Sequence, residues 1–265
     1  MMAVAMAGCT SSYYRAEDAP ASFGSGFADP RLSLMQAFGP PLSPIVRNLR
    51  APHGKLFRFA DVEEMLRADL RPLDIVLVRS RPAMTRLFIP SHFTHAMIWL
   101  GTEHDLKARG LWSSAALQPQ QASIRSGLTI LESSKSSVHL SPFDEMIDVD
   151  EILVLRLSPK GRLSTKYAAL FERLGMPFDV AFDLSDATRL TCAELIAEVF
   201  PELKLPVRYA SGRLAIIPDD IARLALSRSP HLAYKRYIRA EAGGFVVGSA
   251  GDVRLRLTSP RTRQK

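Results

Sequence analysis

A cysteine, a histidine and a carboxylate in this chain have the surroundings that acyl-transfer chemistry requires. Cys192 stands in Thr191-Cys192-Ala193-Glu194, the Thr-x-x-Glu spacing of a helix capping box, and Leu195, Ile196 and Val199 follow at helical spacing. With Thr191 as the N-cap, Cys192 falls in the first helical turn. There unpaired backbone N–H groups and the positive end of the helix dipole stabilise negative charge. That environment favours the thiolate, the reactive form of cysteine. The same N–H groups can hold the oxyanion of a tetrahedral intermediate. A lone cysteine among Leu and Ala also fits a small buried hydrophobe, so Cys192 needs partners before the catalytic reading prevails.

A thiol nucleophile needs a base, and the base needs an orienting group. His95 opens an apolar stretch, His95-Ala96-Met97-Ile98-Trp99-Leu100, that reads as a buried strand. Glu132 closes another, Leu128-Thr129-Ile130-Leu131-Glu132, on the face it shares with Leu128 and Ile130. A carboxylate on an apolar face usually has a partner. If the two strands are antiparallel neighbours, the start of one lies beside the end of the other, and Glu132 meets the His95 imidazole. His92 and His95, three apart with His104 nearby, also suggest metal ligands. Their flanks read as loop and strand, where the rings diverge, so no metal and no cofactor is expected.

The elements around these residues follow from periodicity. A helix is expected over 60–70 and a strand over 74–78. Two further strands fall at 95–100 and 128–132, and a fourth at 152–157. Between the second and third, Gly101 to Gly127 reads as a long polar loop suited to a lid. Helices are expected over 164–174, from Cys192 towards Phe200, and over 219–226. Strands followed by the cysteine-bearing helix read as an α+β domain with a small antiparallel sheet packed against helices.

Composition is that of an ordinary globular chain, 47% hydrophobic and 23% charged, and two cysteines do not make a disulfide framework. The net charge of +7 is concentrated at the end: residues 223–265 hold ten Lys/Arg against two Asp/Glu. A basic tail of that kind suits an anionic membrane surface as well as solvent. No nucleic-acid motif accompanies it, so no nucleic-acid partner is expected. At the other end, Met6-Ala7-Gly8-Cys9 resembles a bacterial lipobox with Cys9 as the lipidated residue. The expectation is a membrane-anchored lipoprotein of the cell envelope, with an unprocessed cytoplasmic protein as the alternative.

Six short motifs occur in one order: Leu73-Asp74-Ile75, Thr94-His95, Leu131-Glu132-Ser133, Gly175-Met176-Pro177-Phe178-Asp179, Cys192-Ala193-Glu194-Leu195 and Pro218-Asp219-Asp220. Together they resemble the permuted papain-like hydrolases of the NlpC-type cysteine peptidase superfamily, specifically the YiiX/YaeF-like amidases. The resemblance implies a circularly permuted papain-like fold with the cysteine on a helix N-terminus. It implies Cys192 as nucleophile, His95 as base and Glu132 as the third member, and puts Phe178 and Asp179 beside the cleft as substrate-binding residues. It covers roughly residues 70–225. Leu73 stands where the family has glycine, and Ala193 where it usually has serine. The domain reading is a leader and tether over 1–30, an extension with one helix over 31–69, the catalytic domain over 70–226 and a basic extension over 227–265. Three functions are compatible with these residues: an amidase or peptidase acting on cell-wall peptides; a lipid-directed thioesterase, phospholipase or acyltransferase with the same triad; and a non-enzymatic envelope lipoprotein that binds in the cleft.

Overall fold

The computed structural model describes residues 54–80, 91–134, 136–210 and 213–258. Cys9 and the tether lie outside the described residues. The strands are β1 Ile75–Arg79, β2 His95–Trp99, β3 Leu128–Ser134, β4 Ser137–Pro142, β5 Glu151–Leu157, β8 Leu232–Glu241 and β9 Gly244–Gly248, with β6 Arg208–Ala210 and β7 Arg213–Ala215 forming a separate hairpin. The first seven make one antiparallel sheet in the order β4-β3-β2-β1-β5-β8-β9. The helices are α1 Ala60–Asp69, α2 Glu103–Ala108, α3 Gln121–Arg125, α4 Phe143–Ile147, α5 Leu163–Phe171, α6 Cys192–Val199, α7 Pro218–Leu226 and α8 Ala250–Thr258.

Both faces of the sheet are covered, which is why its central strands read as continuous apolar runs. Side chains alternate between two cores. Ile75, Leu77, Ala96, Ile98, Leu131, Leu153 and Leu155 join Leu195, Ile196 and Val199 of α6, Ile221 and Ala222 of α7, and Tyr167 and Leu170 of α5. Val76, Val78, Met97, Trp99, Ile130, Ile152 and Val154 join Val62 and Leu66 of α1 and Phe143, Met146 and Ile147 of α4.

The sheet is larger than the small one expected. The stretch after residue 226, read as a basic extension, supplies β8 and β9: β8 runs the length of β5 from Leu157↔Leu232 to Glu151↔Arg239. Its cations had disguised it. Lys235 and Arg236 lie on Asp69 of α1, while Tyr237 and Ile238 are buried. The helix over 60–69 likewise belongs to the sheet's second core rather than to a separate extension. The segment read as a polar lid loop contains α2 and α3 and buries Leu106, Leu111, Trp112, Leu117 and Ile124 in the first core. Thr102 caps α2 with a capping box closed by Asp105. Its apolar residues are spaced too irregularly for a periodicity signal, and packing decided the outcome. β3 continues past Glu132 to Ser134, so that carboxylate lies within the strand and not at its end.

Leu73, where the resemblance expects glycine, sits in a tight turn. The Asp74 N–H bonds the Arg71 carbonyl at 2.9 Å, closing a turn with Pro72 at its second position and Leu73, at φ 71°, at its third. That is the pattern of a type II turn, whose third position favours glycine. Asp74 completes the corner: its carboxylate accepts from the Arg71 N–H at 2.8 Å and from Arg156 of β5 at 2.7 Å. Left-handed backbone costs a leucine about 1–2 kcal/mol. The Leu73 side chain, however, is fully buried in the first core, where truncation costs about 2–5 kcal/mol. Leu73→Gly is therefore expected to destabilise the protein by about 2 kcal/mol, a fall of about 6 °C in thermal melting. A melt at or above the wild-type temperature would show that backbone strain outweighs the packing.

Candidate active site

The sheet brings His95 and Glu132 together through register. β2 pairs antiparallel with β3 as Met97↔Glu132, Ile98↔Leu131 and Trp99↔Ile130. His95, two residues before Met97, is thus diagonal to Glu132 on the same face. His95 Nε2 donates to Glu132 Oε2 at 2.6 Å, and the carboxylate is only 4% exposed. The other imidazole nitrogen is left for Cys192, whose side chain is near enough to raise the imidazole's pKa. The thiol comes from the first residue of α6, and the imidazole from the first residue of β2.

The second oxygen of Glu132 has partners that come from β4, a strand not anticipated from the sequence. The register Glu132↔His139 and Ile130↔Ser141 puts both polar side chains on the Glu132 face. Ser141 Oγ donates to Oε1, and His139 Nε2 stands 3.7 Å from it, while His139 Nδ1 lies 2.8 Å from the Ser137 carbonyl. The alternation Ser137-Val138-His139-Leu140-Ser141 was a period-two signal that could have revealed this strand.

Burial opposes charge on both members of the pair, and their mutual attraction overrides it. Desolvation raises the Glu132 carboxyl, but the hydrogen bond and charge of His95, the Ser141 hydroxyl and the charge of His139 bring it down to about 2. Desolvation lowers the His95 imidazole, but its interactions with Cys192 and with Glu132 raise it to about 10. At neutral pH the ring therefore rests as an imidazolium against the Glu132 carboxylate.

α6 is capped as its sequence suggested. Thr191 Oγ1 accepts from the Glu194 N–H at 3.2 Å, and Glu194 Oε2 accepts from the Thr191 N–H at 2.9 Å. The Leu195 N–H bonds the Thr191 carbonyl. The helix thus leaves over the N–H groups of Cys192 and Ala193, at the head of the dipole.

Phe178 and Asp179 do flank this helix start: Phe178 bridges Leu190, and the Asp179 N–H bonds the Leu190 carbonyl. Asp179 is buried, with burial pushing its carboxyl up, and its oxygens accept from the backbone N–H groups of Ala181 and Asp183. Its carboxylate shapes the 180–183 loop. Phe178 is half-buried and packs edge-on against Phe182. The other candidate metal ligands do not converge on His95. His92 turns its ring to Glu151 at 2.8 Å and Arg79 at 2.8 Å, and His104 is exposed on α2. Among the described residues no group of three His, Cys, Asp or Glu is placed to hold a metal.

Two measurements follow from the electrostatics. Wild type is expected to show the ultraviolet absorbance of a thiolate at pH 7 relative to Cys192→Ser, and Glu132→Gln to lose most of it. Equal absorbance in wild type and Glu132→Gln would show that the carboxylate does not support the ion pair. Because the folded His95 value lies above its unfolded one, the imidazolium's contribution to stability is complete below about 6.5. It disappears as pH rises through about 10. Denaturant midpoints taken from pH 7 to 10.5 should fall in wild type and stay flatter in His95→Gln.

No curated protein and no solved structure matches the chain. A family model does, over residues 69–224, from the helix end before β1 to the last turns of α7. That span contains Cys192, His95 and Glu132 and more than half of the chain, with the histidine ahead of the cysteine as a permutation requires. The chain belongs to the permuted papain-like amidase enzymes of the YaeF/YiiX, or C92, family.

Proposed function

We propose that the protein is a cysteine hydrolase that cleaves an amide bond, with Cys192 as nucleophile, His95 as acid and base and Glu132 as the carboxylate that orients the imidazole. The observation that carries this reading is the line Glu132–His95–Cys192, anchored by a 2.6 Å hydrogen bond from His95 to a buried carboxylate and ending at a helix start. With the proton already on His95, the first step is attack by the thiolate on the substrate carbonyl carbon. The carbonyl π electrons move to oxygen, and the Cys192 and Ala193 N–H groups face that oxyanion. Its collapse expels the amine, which takes the proton from His95 and leaves a thioester on Cys192. Neutral His95 then removes a proton from water as the hydroxyl attacks the thioester. Collapse of the second tetrahedral intermediate releases the acid and restores the imidazolium–thiolate pair.

Peptides of the cell wall fit the amide chemistry and the expected envelope location. The lipid-directed reading draws on the basic C-terminal stretch, but several of its cations are engaged inside the fold. Lys235 and Arg236 bind Asp69, and Arg223 lies 3.2 Å from Asp220. Among the described residues no helix is long and apolar enough to cross a membrane. The membrane attachment proposed for this chain is lipidation of Cys9, which intact mass of the membrane-extracted protein tests directly.

Iodoacetamide at pH 7 is expected to alkylate Cys192 about tenfold or more faster than free cysteine, with His95→Ala removing that excess. Equal rates for the two proteins would sink the thiolate–imidazolium reading. Incubation with peptidoglycan fragments and with phospholipid vesicles, compared by mass spectrometry with Cys192→Ala, separates the chemistries. The expected outcome is an amide cleavage product that depends on Cys192. A Cys192-dependent lipid product instead would replace the amidase assignment, and no product from either would favour binding.

A further inference from the structure

One buried ionisable group beside the nucleophile has no part in the mechanism above. Glu194 lies two residues from Cys192, in the first turn of α6, and is 4% exposed. Its Oε2 accepts from the Thr191 N–H at 2.9 Å. Its Oε1 is buried with no hydrogen-bond partner among the described residues. A carboxylate stripped of water at one oxygen, with no donor in return, is strongly destabilised. A neutral carboxyl avoids most of that cost: Oε1 carries the proton, and Oε2 still accepts from Thr191.

The charges around Glu194 point the same way. Asp179, buried on the segment that leads into the helix, and Glu198, one turn further along it, both disfavour a negative charge there. Glu198 is held by Arg173 at 2.7 Å, beyond the end of α5. β2 and β3 bring His95 and Glu132, which pair with each other on the Cys192 side. α7 brings Asp219 and Asp220, turned to the His92 N–H and to Arg208. Among the described residues, then, no cation is bound to Glu194. Burial pushes its carboxyl up to about 7, with the Thr191 hydrogen bonds opposing and Asp179 and Glu198 adding to the rise.

We infer that Glu194 is a positioning residue of the proposed reaction: it fixes Cys192 at the head of α6 through Thr191, and it does so as a neutral carboxyl, leaving the field of the helix N-terminus to the Cys192 thiolate. An ionised Glu194 would draw on the same few N–H groups and set a second negative charge within one turn of the thiolate. This rests on the catalytic role proposed for Cys192. Its consequence is a nucleophile that weakens as pH rises through neutrality, although thiols in general grow more reactive over that range.

The test is iodoacetamide alkylation of the full chain from pH 5.5 to 8.5, each rate divided by the thiolate-corrected rate of free cysteine, for wild type, Glu194→Gln and Glu194→Ala. Wild type should fall about fivefold between pH 6 and 8. Glu194→Gln keeps an acceptor for the Thr191 N–H and cannot ionise. It should match wild type at pH 6 and stay within about twofold across the range. Glu194→Ala should be about tenfold slower at pH 6, with thermal melting checking that it folds. Rescue by glutamine separates the capping role from mere bulk. A glutamine variant that falls with pH as wild type does, or that is as slow as the alanine variant, overturns the inference. A pH-difference infrared spectrum gives an independent reading in unmodified protein. The carbonyl stretch of a protonated carboxylic acid should be present at pH 6, lost by pH 8.5 and missing in Glu194→Gln; its persistence in Glu194→Gln overturns the assignment. If wild-type Cys192 is no faster than free cysteine, the catalytic reading itself fails; a reactive Cys192 with a glutamine variant indistinguishable from wild type at every pH refutes only the role of Glu194.

Discussion

The burial of one negative charge, that of Glu132, sets the terms for the rest of the site. A carboxylate at 4% exposure inside a sheet is tolerated only with donors on both oxygens. Each donor comes from a position fixed by strand register. Met97↔Glu132 puts His95 on one side, and Glu132↔His139 puts His139 and Ser141 on the other. A slip of one residue in either pairing would turn these side chains to the opposite core and leave the charge alone. The hydrophobic alternation of β2 and β3 opposes that slip, because it would also exchange Met97 and Trp99 with Ala96 and Ile98 between the two cores. The apolar pattern that holds the sheet together therefore also aims the imidazole.

His95 and Cys192 each open an element, where fraying would be expected, and each start is tied down from far along the chain. The N–H groups of His92 and Phe93, just before β2, are bound by the Asp219 carboxylate at 2.8 and 2.9 Å. The His92 ring is clamped by Glu151, which also accepts from Tyr237 of β8. The Pro218-Asp219-Asp220 motif thus has a structural meaning: it fastens the strand that carries the histidine. Before α6, the Leu190 carbonyl accepts from Ser133 Oγ at 2.6 Å, which ties the cysteine's approach to the strand that carries Glu132. These long-range side-chain-to-backbone bonds hold two element starts against each other without needing them to be close in sequence. A permuted chain order therefore costs the site nothing.

Where the sequence was legible, the reason was a local rule. The capping box at Thr191 and Glu194, the apolar runs of β1, β2, β3 and β5 and the amphipathic α1 and α7 follow from spacing alone. The diagonal of His95 and Glu132 followed from one assumption about pairing. What stayed hidden was whatever tertiary contacts decide. β8 alternates poorly because Lys235 and Arg236 are solvated only in part and find Asp69 across the chain. β4 is short and polar on the face that serves Glu132, so its function masked its type. Asp179 holds its own loop through Ala181 and Asp183, and no local sequence pattern announces that pairing.

Two departures from local rules near the site carry different meanings. Leu73 takes a left-handed backbone where glycine is at ease, and the first core, which encloses its side chain, offsets the strain. Glu194 leaves an oxygen buried and unpaired beside the nucleophile, and among the described residues no neighbour offsets it. Violations with a visible compensation are part of stability, and those without one are expected where function sets the terms. By that criterion the turn before β1 is scaffold, whereas the first turn of α6 is where the proposed chemistry sits. In the proposed reaction, the helix start that carries Cys192 is also the place where a second acid stays neutral so that the helix field serves the thiolate.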